Sequence, residues 1–81
     1  MKKVMKFGAE WCSSCKMLTK TLQDIKTDVV IEEINIDEKP EVTRQYDVRG
    51  VPTMIMIEDD VVVKRMTGAR TQQELEKWLN F

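Results

Sequence analysis

Trp11-Cys12-Ser13-Ser14-Cys15 is the stretch whose reading decides the fold. Two thiols stand three positions apart, where a mostly apolar run, Lys3 to Gly8, gives way to a helical pattern. Cysteines at this spacing close a small disulfide ring if the turn brings their Cβ atoms together, and the start of a helix does that. Cys12 then sits at the helix N-terminus, where unpaired backbone N–H groups and the helix dipole favour negative charge. It is expected to ionise more easily than a free thiol and to act as the nucleophile, with Cys15, one turn inside, as the resolving thiol. The chemistry follows from that asymmetry. Cys12 attacks a partner's disulfide, a mixed disulfide forms, and Cys15 displaces the partner, leaving an intramolecular disulfide.

Working outward, Val4, Met5 and Phe7 around Lys6 suit a strand buried on much of both faces. After Cys15, Leu18, Leu22 and Ile25 recur at helical spacing with Lys16, Lys20 and Asp24 between them, which predicts an amphipathic helix ending near Lys26. Val29 to Ile36 is rich in β-branched residues and reads as a second strand, parallel to the first because a helical crossover joins them. Pro40 opens a short helix carrying Val42 and Tyr46 inward, and Asp47 to Gly50 form a loop. Thr53 to Ile57, the turn Glu58-Asp59-Asp60 and Val61 to Met66 predict an antiparallel hairpin. Gly68 breaks the pattern. Thr71 and Glu74 resemble a capping box for a last helix whose apolar face is Leu75, Trp78 and Leu79.

The 81 residues are expected to form a single α/β domain, 1–81, near the size at which one core becomes marginal. Thirteen basic against fourteen acidic residues leave a net charge of −1, without the cationic excess that nucleic acid or an anionic membrane demands. The segment Met1 to Lys6 lacks the long apolar core of a signal peptide, and no run of apolar residues is long enough to span a bilayer. A cytoplasmic, monomeric protein is expected, with partners other than nucleic acid or membrane. In a reducing compartment two cysteines read as catalytic or metal-binding rather than as a permanent staple. A tetrahedral metal site needs four ligands, and with no histidine and no third cysteine, zinc or an iron–sulfur cluster would require a dimer. The expectation is therefore no metal and no cofactor beyond the redox-active disulfide.

In this order of elements the chain resembles the thioredoxin family, and three motifs carry the resemblance. Phe7-Gly8-Ala9-Glu10-Trp11-Cys12-Ser13-Ser14-Cys15-Lys16 is similar to the active-site segment, Arg49-Gly50-Val51-Pro52-Thr53 to the cis-proline loop, and Gly68-Ala69 to the small residues after the last strand. The resemblance implies a thioredoxin-like βαβαββα fold, a four-stranded mixed sheet of order 2-1-3-4 with helices on both faces. It starts at the family's central strand and is close in size to glutaredoxins. The activity implied is reduction of protein disulfides, with a thioredoxin reductase-like donor or glutathione supplying electrons. Pro52 is expected to be cis and to face the disulfide, excluding metal and leaving the Val51 backbone free to pair with an extended substrate. Trp11, Ser13, Val51, Pro52, Gly68 and Ala69 are expected to form a flat docking surface around Cys12.

Two departures from the family matter. Ser13-Ser14 replaces the usual dipeptides between the cysteines, which predicts a potential less reducing than a typical thioredoxin's, between about −270 and −180 mV. Lys6 and Glu33 occupy the positions of a buried acid and a neighbouring lysine, so the charges are exchanged. Adjacent parallel strands would bring them into contact as a swapped ion pair beneath the disulfide, Glu33 accepting the Cys15 proton and Lys6 tuning it. Otherwise both side chains reach solvent and leave the chemistry alone. Two further readings stand beside the disulfide reductase: a glutaredoxin-like enzyme recharged by glutathione, and a non-catalytic binding module on the same fold.

Overall fold

Seven elements follow one another in a computed structural model that describes residues 1–80; Phe81, the last residue of the expected 1–81 domain, lies outside the described residues. Strand β1 (Lys2–Gly8) has neighbours on both sides, and Val4 to Phe7, Lys6 included, are buried. Helix α1 (Ser13–Gln23) crosses over to β2 (Val30–Asn35), which pairs parallel to β1 with Lys6 opposite Glu33. After α2 (Pro40–Gln45), β3 (Thr53–Glu58) runs antiparallel on the other side of β1, and β4 (Val61–Thr67) pairs antiparallel to β3. The sheet order is β2-β1-β3-β4, and α3 (Gln72–Asn80) closes the described chain.

Alternation along the two central strands divides the core in two. Val4, Met54 and Met56 point to the face covered by α1 and α3, where they meet Leu18, Leu75 and Leu79. Met5, Phe7, Ile55 and Ile57 point to the opposite face with Ile34, and there α2 and its following loop add Val42, Tyr46 and Val48. Covering both faces of β1 is what forces the Lys6 side chain into the interior.

Local chemistry sets the ends of the elements. Helix α1 stops at Gln23, short of Lys26, because the Asp24 N–H turns back to the carbonyls of Thr21 and Leu22. Ile25 is still buried, its N–H on the Leu22 carbonyl at 3.1 Å, so the turn itself puts this side chain into the core. The β3–β4 turn uses Asp59 and Asp60 at φ of 52° and 68°, the left-handed pair that suits the twist of a two-residue hairpin. At α3 the Glu74 N–H donates to Thr71 Oγ1 at 3.2 Å, while the hydroxyl donates to the Glu74 carboxylate at 3.2 Å. The carboxylate thus takes the capping hydroxyl rather than the Thr71 backbone N–H of a full capping box.

Candidate active site

The end of β1 and the start of α1 bring the two cysteines together. Cys12 caps α1 in an extended conformation (φ −98°, ψ 108°), and its Sγ accepts the Cys15 N–H at 3.2 Å. That N–H is one of the donors that the first helical turn leaves without a backbone partner. The Ser14 hydroxyl lies 3.4 Å from the same sulfur. Cys12 and Cys15 form a disulfide, their Cα atoms 5.3 Å apart. Cys15 lies inward: a Cβ placed on Gly8 would stand 3.4 Å from its Sγ, so the last residue of β1 passes close beneath the second sulfur. A small apolar cluster of Ala9, Cys12 and Cys15, flanked by Ile36 and Val51, closes this end of the sheet.

The expected docking residues fall into two groups. Val51 packs on the cysteine cluster, the Val51–Pro52 peptide is cis, and Pro52 is buried. The loop is held by Thr53 Oγ1 donating to the Gly50 carbonyl at 2.6 Å and by the Gly68 N–H donating to the Pro52 carbonyl at 2.8 Å. Gly68 sits at φ +91°, a region where a side chain is strained, and a Cβ there would lie 3.1 Å from the Arg70 guanidinium. Ala69 and Ser13 are exposed. Trp11 is 67% exposed, yet its Nε1–H donates to Asp37 Oδ2 at 2.9 Å, so a large apolar ring is fixed in open solvent beside the disulfide. Asp37 is in turn held by its own N–H on Asn35 Oδ1 at 2.9 Å.

Lys6 and Glu33 meet. Lys6 Nζ donates to Glu33 Oε1 at 3.0 Å, and the two side chains are unequally placed, 6% and 64% exposed. The lysine is inside the protein while the carboxylate stands at its rim. Lys6 Nζ also donates to Thr19 Oγ1 at 2.7 Å, and the Thr19 hydroxyl donates to the Cys15 carbonyl at 3.1 Å. Lys6, Gly8, Cys15, Thr19 and Glu33 line one open cleft of 540 Å³.

The site is thus a Cys12–Cys15 disulfide at a helix start, with Val51 of the cis-proline loop packed on it at one end of a β2-β1-β3-β4 sheet. The thioredoxin family model matches residues 1–81. The chain belongs to the thioredoxin family. Among thioredoxins, that of Chlamydia caviae is 38% identical over 77 residues, an alignment covering 91% of this chain and 76% of the relative. That of Rickettsia bellii is 35% identical over 78 residues, covering 91% and 74%. A mutant thioredoxin from Halobacterium salinarum superposes with a TM-score of 0.91 at 28% identity, over 98% of this chain and 72% of that one. This thioredoxin-family chain is a thiol-disulfide oxidoreductase whose substrates are protein disulfides.

Relative to its sequence reading, this thioredoxin-family site gains two residues, Asp37 and Thr19. Asn35-Ile36-Asp37 closes a strand, and an acid there signals only a turn; its bond to Trp11 spans 26 positions. Thr19 is one polar residue among several on α1. The perturbed titrations lie elsewhere: burial, with Lys2 nearby, holds Lys64 below the ordinary lysine range, and the bond to Asp59 raises the Met1 amine. Among the described residues no group of three or more His, Cys, Asp and Glu side chains is placed to hold a metal ion, and no helix is long and apolar enough to cross a membrane.

Proposed function

We propose that this chain, as one monomeric domain over residues 1–81, reduces disulfides of cytoplasmic proteins with Cys12 as nucleophile and Cys15 as resolving thiol. The supporting observation is the unequal setting of the two sulfurs. Cys12 Sγ receives the Cys15 N–H at the start of α1, where a thiolate is favoured, whereas Cys15 Sγ lies against Gly8. The Cys12 thiolate attacks one sulfur of the substrate disulfide and expels the other as a thiolate. Cys15 then gives its proton to Glu33, attacks Cys12 Sγ and expels the second substrate thiolate. Two electrons pass to the substrate and the protein keeps the disulfide.

The docking surface in this reading is Trp11, Ser13, Val51, Pro52, Gly68 and Ala69, with the Val51 backbone pairing to an extended substrate segment. Trp11 contributes a rigid ring at low entropic cost because Asp37 already holds it. Neither metal nor cofactor takes part. A thioredoxin reductase-like flavoenzyme returns the electrons.

A redox titration in glutathione buffers, with thiols trapped and counted by mass, tests the proposal. One reversible two-thiol transition between about −270 and −180 mV, lost in Cys12→Ser, is the expected result. Recharging by glutathione but not by the flavoenzyme would replace the donor with the glutaredoxin type. A protein without a reversible transition would be a binding module.

A further inference from the structure

We infer that Thr19 is a positioning residue for the resolving step, holding the Lys6 ammonium in the cleft that Cys15 also lines, so that the resolving thiolate forms in the field of a fixed cation. The inference rests on the proposed reading of Cys15 as the resolving thiol tuned by Lys6. A buried ammonium needs partners, and Glu33 alone is a poor anchor because its side chain is 64% exposed. A lysine tied only to an exposed carboxylate at the rim would be free to follow it into water. The shorter of the two Nζ bonds, 2.7 Å, goes instead to Thr19 Oγ1.

The Thr19 hydroxyl is committed on both sides, accepting from Lys6 and donating to the Cys15 carbonyl one helical turn back at 3.1 Å. Its β-branched side chain has few rotamers in a helix, so the bond to Lys6 has a fixed direction. The ammonium is thereby linked through one hydroxyl to the backbone of the resolving cysteine. Thr19 moves no proton; it sets where a charge sits.

Besides Lys6 and Glu33, the titratable side chains around the cleft are Glu10 before α1, Lys16 on α1, and Glu38 and Lys39 after β2. These four are exposed, two of each sign, and water and salt screen them. Of these charged side chains Lys6 alone is buried, so it is the one that water and salt screen least. A cation close to a thiol favours the thiolate.

The test is the unimolecular second phase after the reduced protein meets one equivalent of an aromatic disulfide that releases a coloured thiolate. The first release reports attack by Cys12; the second reports resolution by Cys15. With Thr19→Val the ammonium loses its anchor and the Cys15 titration moves upward. A tenfold loss of thiolate at neutral pH, offset in part by the greater nucleophilicity of a more basic thiolate, leaves resolution about threefold slower. Above the titration the variant overtakes the parent, a crossing that loss of packing alone would not produce. Thr19→Ser restores the parent profile.

A Thr19→Val profile that coincides with the parent's, or a Thr19→Ser profile displaced as far as that of Thr19→Val, overturns the inference. Lys6→Met separates it from the reading beneath. If Lys6→Met moves the profile and Thr19→Val does not, only the positioning role falls; if neither moves it, the tuning by Lys6 falls as well.

Discussion

Removing the hydroxyl of Ser14 perturbs the thiolate without touching the helix backbone. In the structure Cys12 Sγ has two polar neighbours, the Cys15 N–H at 3.2 Å and the Ser14 Oγ at 3.4 Å. Ser13 is exposed and makes no hydrogen bond to the sulfur among the described residues. A hydroxyl donating to a charged sulfur is a charge-assisted bond, but this one is long and only partly buried. About 0.5–1 kcal/mol for the thiolate is a reasonable magnitude. The reduced state therefore loses about twofold to fivefold of its thiolate at a pH below the Cys12 titration. Above that titration the reduced protein is destabilised by the full amount, and the midpoint becomes about 10–20 mV more negative.

Absorbance of the thiolate in the ultraviolet against pH, together with redox titration of the parent, Ser14→Ala and Ser13→Ala, measures both quantities. Ser14→Ala shifts the Cys12 titration upward and the midpoint downward, while Ser13→Ala leaves both in place. Equal shifts in the two variants would refute the reasoning, since the effect would then belong to the polarity of the dipeptide and not to one directed bond. An unmoved Ser14→Ala titration would refute it equally.

Two further outcomes concern stability. Leu75 is fully buried between α3 and the sheet, so Leu75→Ala costs about 2–5 kcal/mol in urea unfolding, whereas Met17→Ala, at a position 63% exposed, stays within about 0.5 kcal/mol. Burial and Lys2 hold the folded Lys64 titration below its ordinary value of 10.5. A lysine lowered on folding is destabilising while charged; the cost is whole below the folded titration and is relieved as pH rises from there towards the unfolded one. Unfolding midpoints across the alkaline range should therefore rise more, or fall less, in the parent than in Lys64→Met.

Strands and helices were legible because each uses a local signal. The β-branched run of β2, the double aspartate of the hairpin turn, Pro40 at the start of α2 and Thr71 before α3 each act within a few residues of themselves. The end of α1 was less legible. Ile25 keeps helical spacing with Leu18 and Leu22, but the chain reaches the core there by turning at Asp24, and apolar periodicity does not distinguish a last helical turn from such a turn.

The dithiol, its position at the start of a helix and the order of elements around it were determined by the sequence itself, because Cys12 and Cys15 interact through one turn of local backbone. The exchange of charge between Lys6 and Glu33 was also visible there as two residue types at facing positions. Only the tertiary structure decided that Lys6 is the buried member, since that depends on α1 covering one face of β1 and α2 the other. It alone joined Lys6 to Thr19 and Trp11 to Asp37, pairs 13 and 26 positions apart. Such bonds follow no sequence period, because their partners are set by which elements pack together and a side-chain hydrogen bond forms only over about 3 Å.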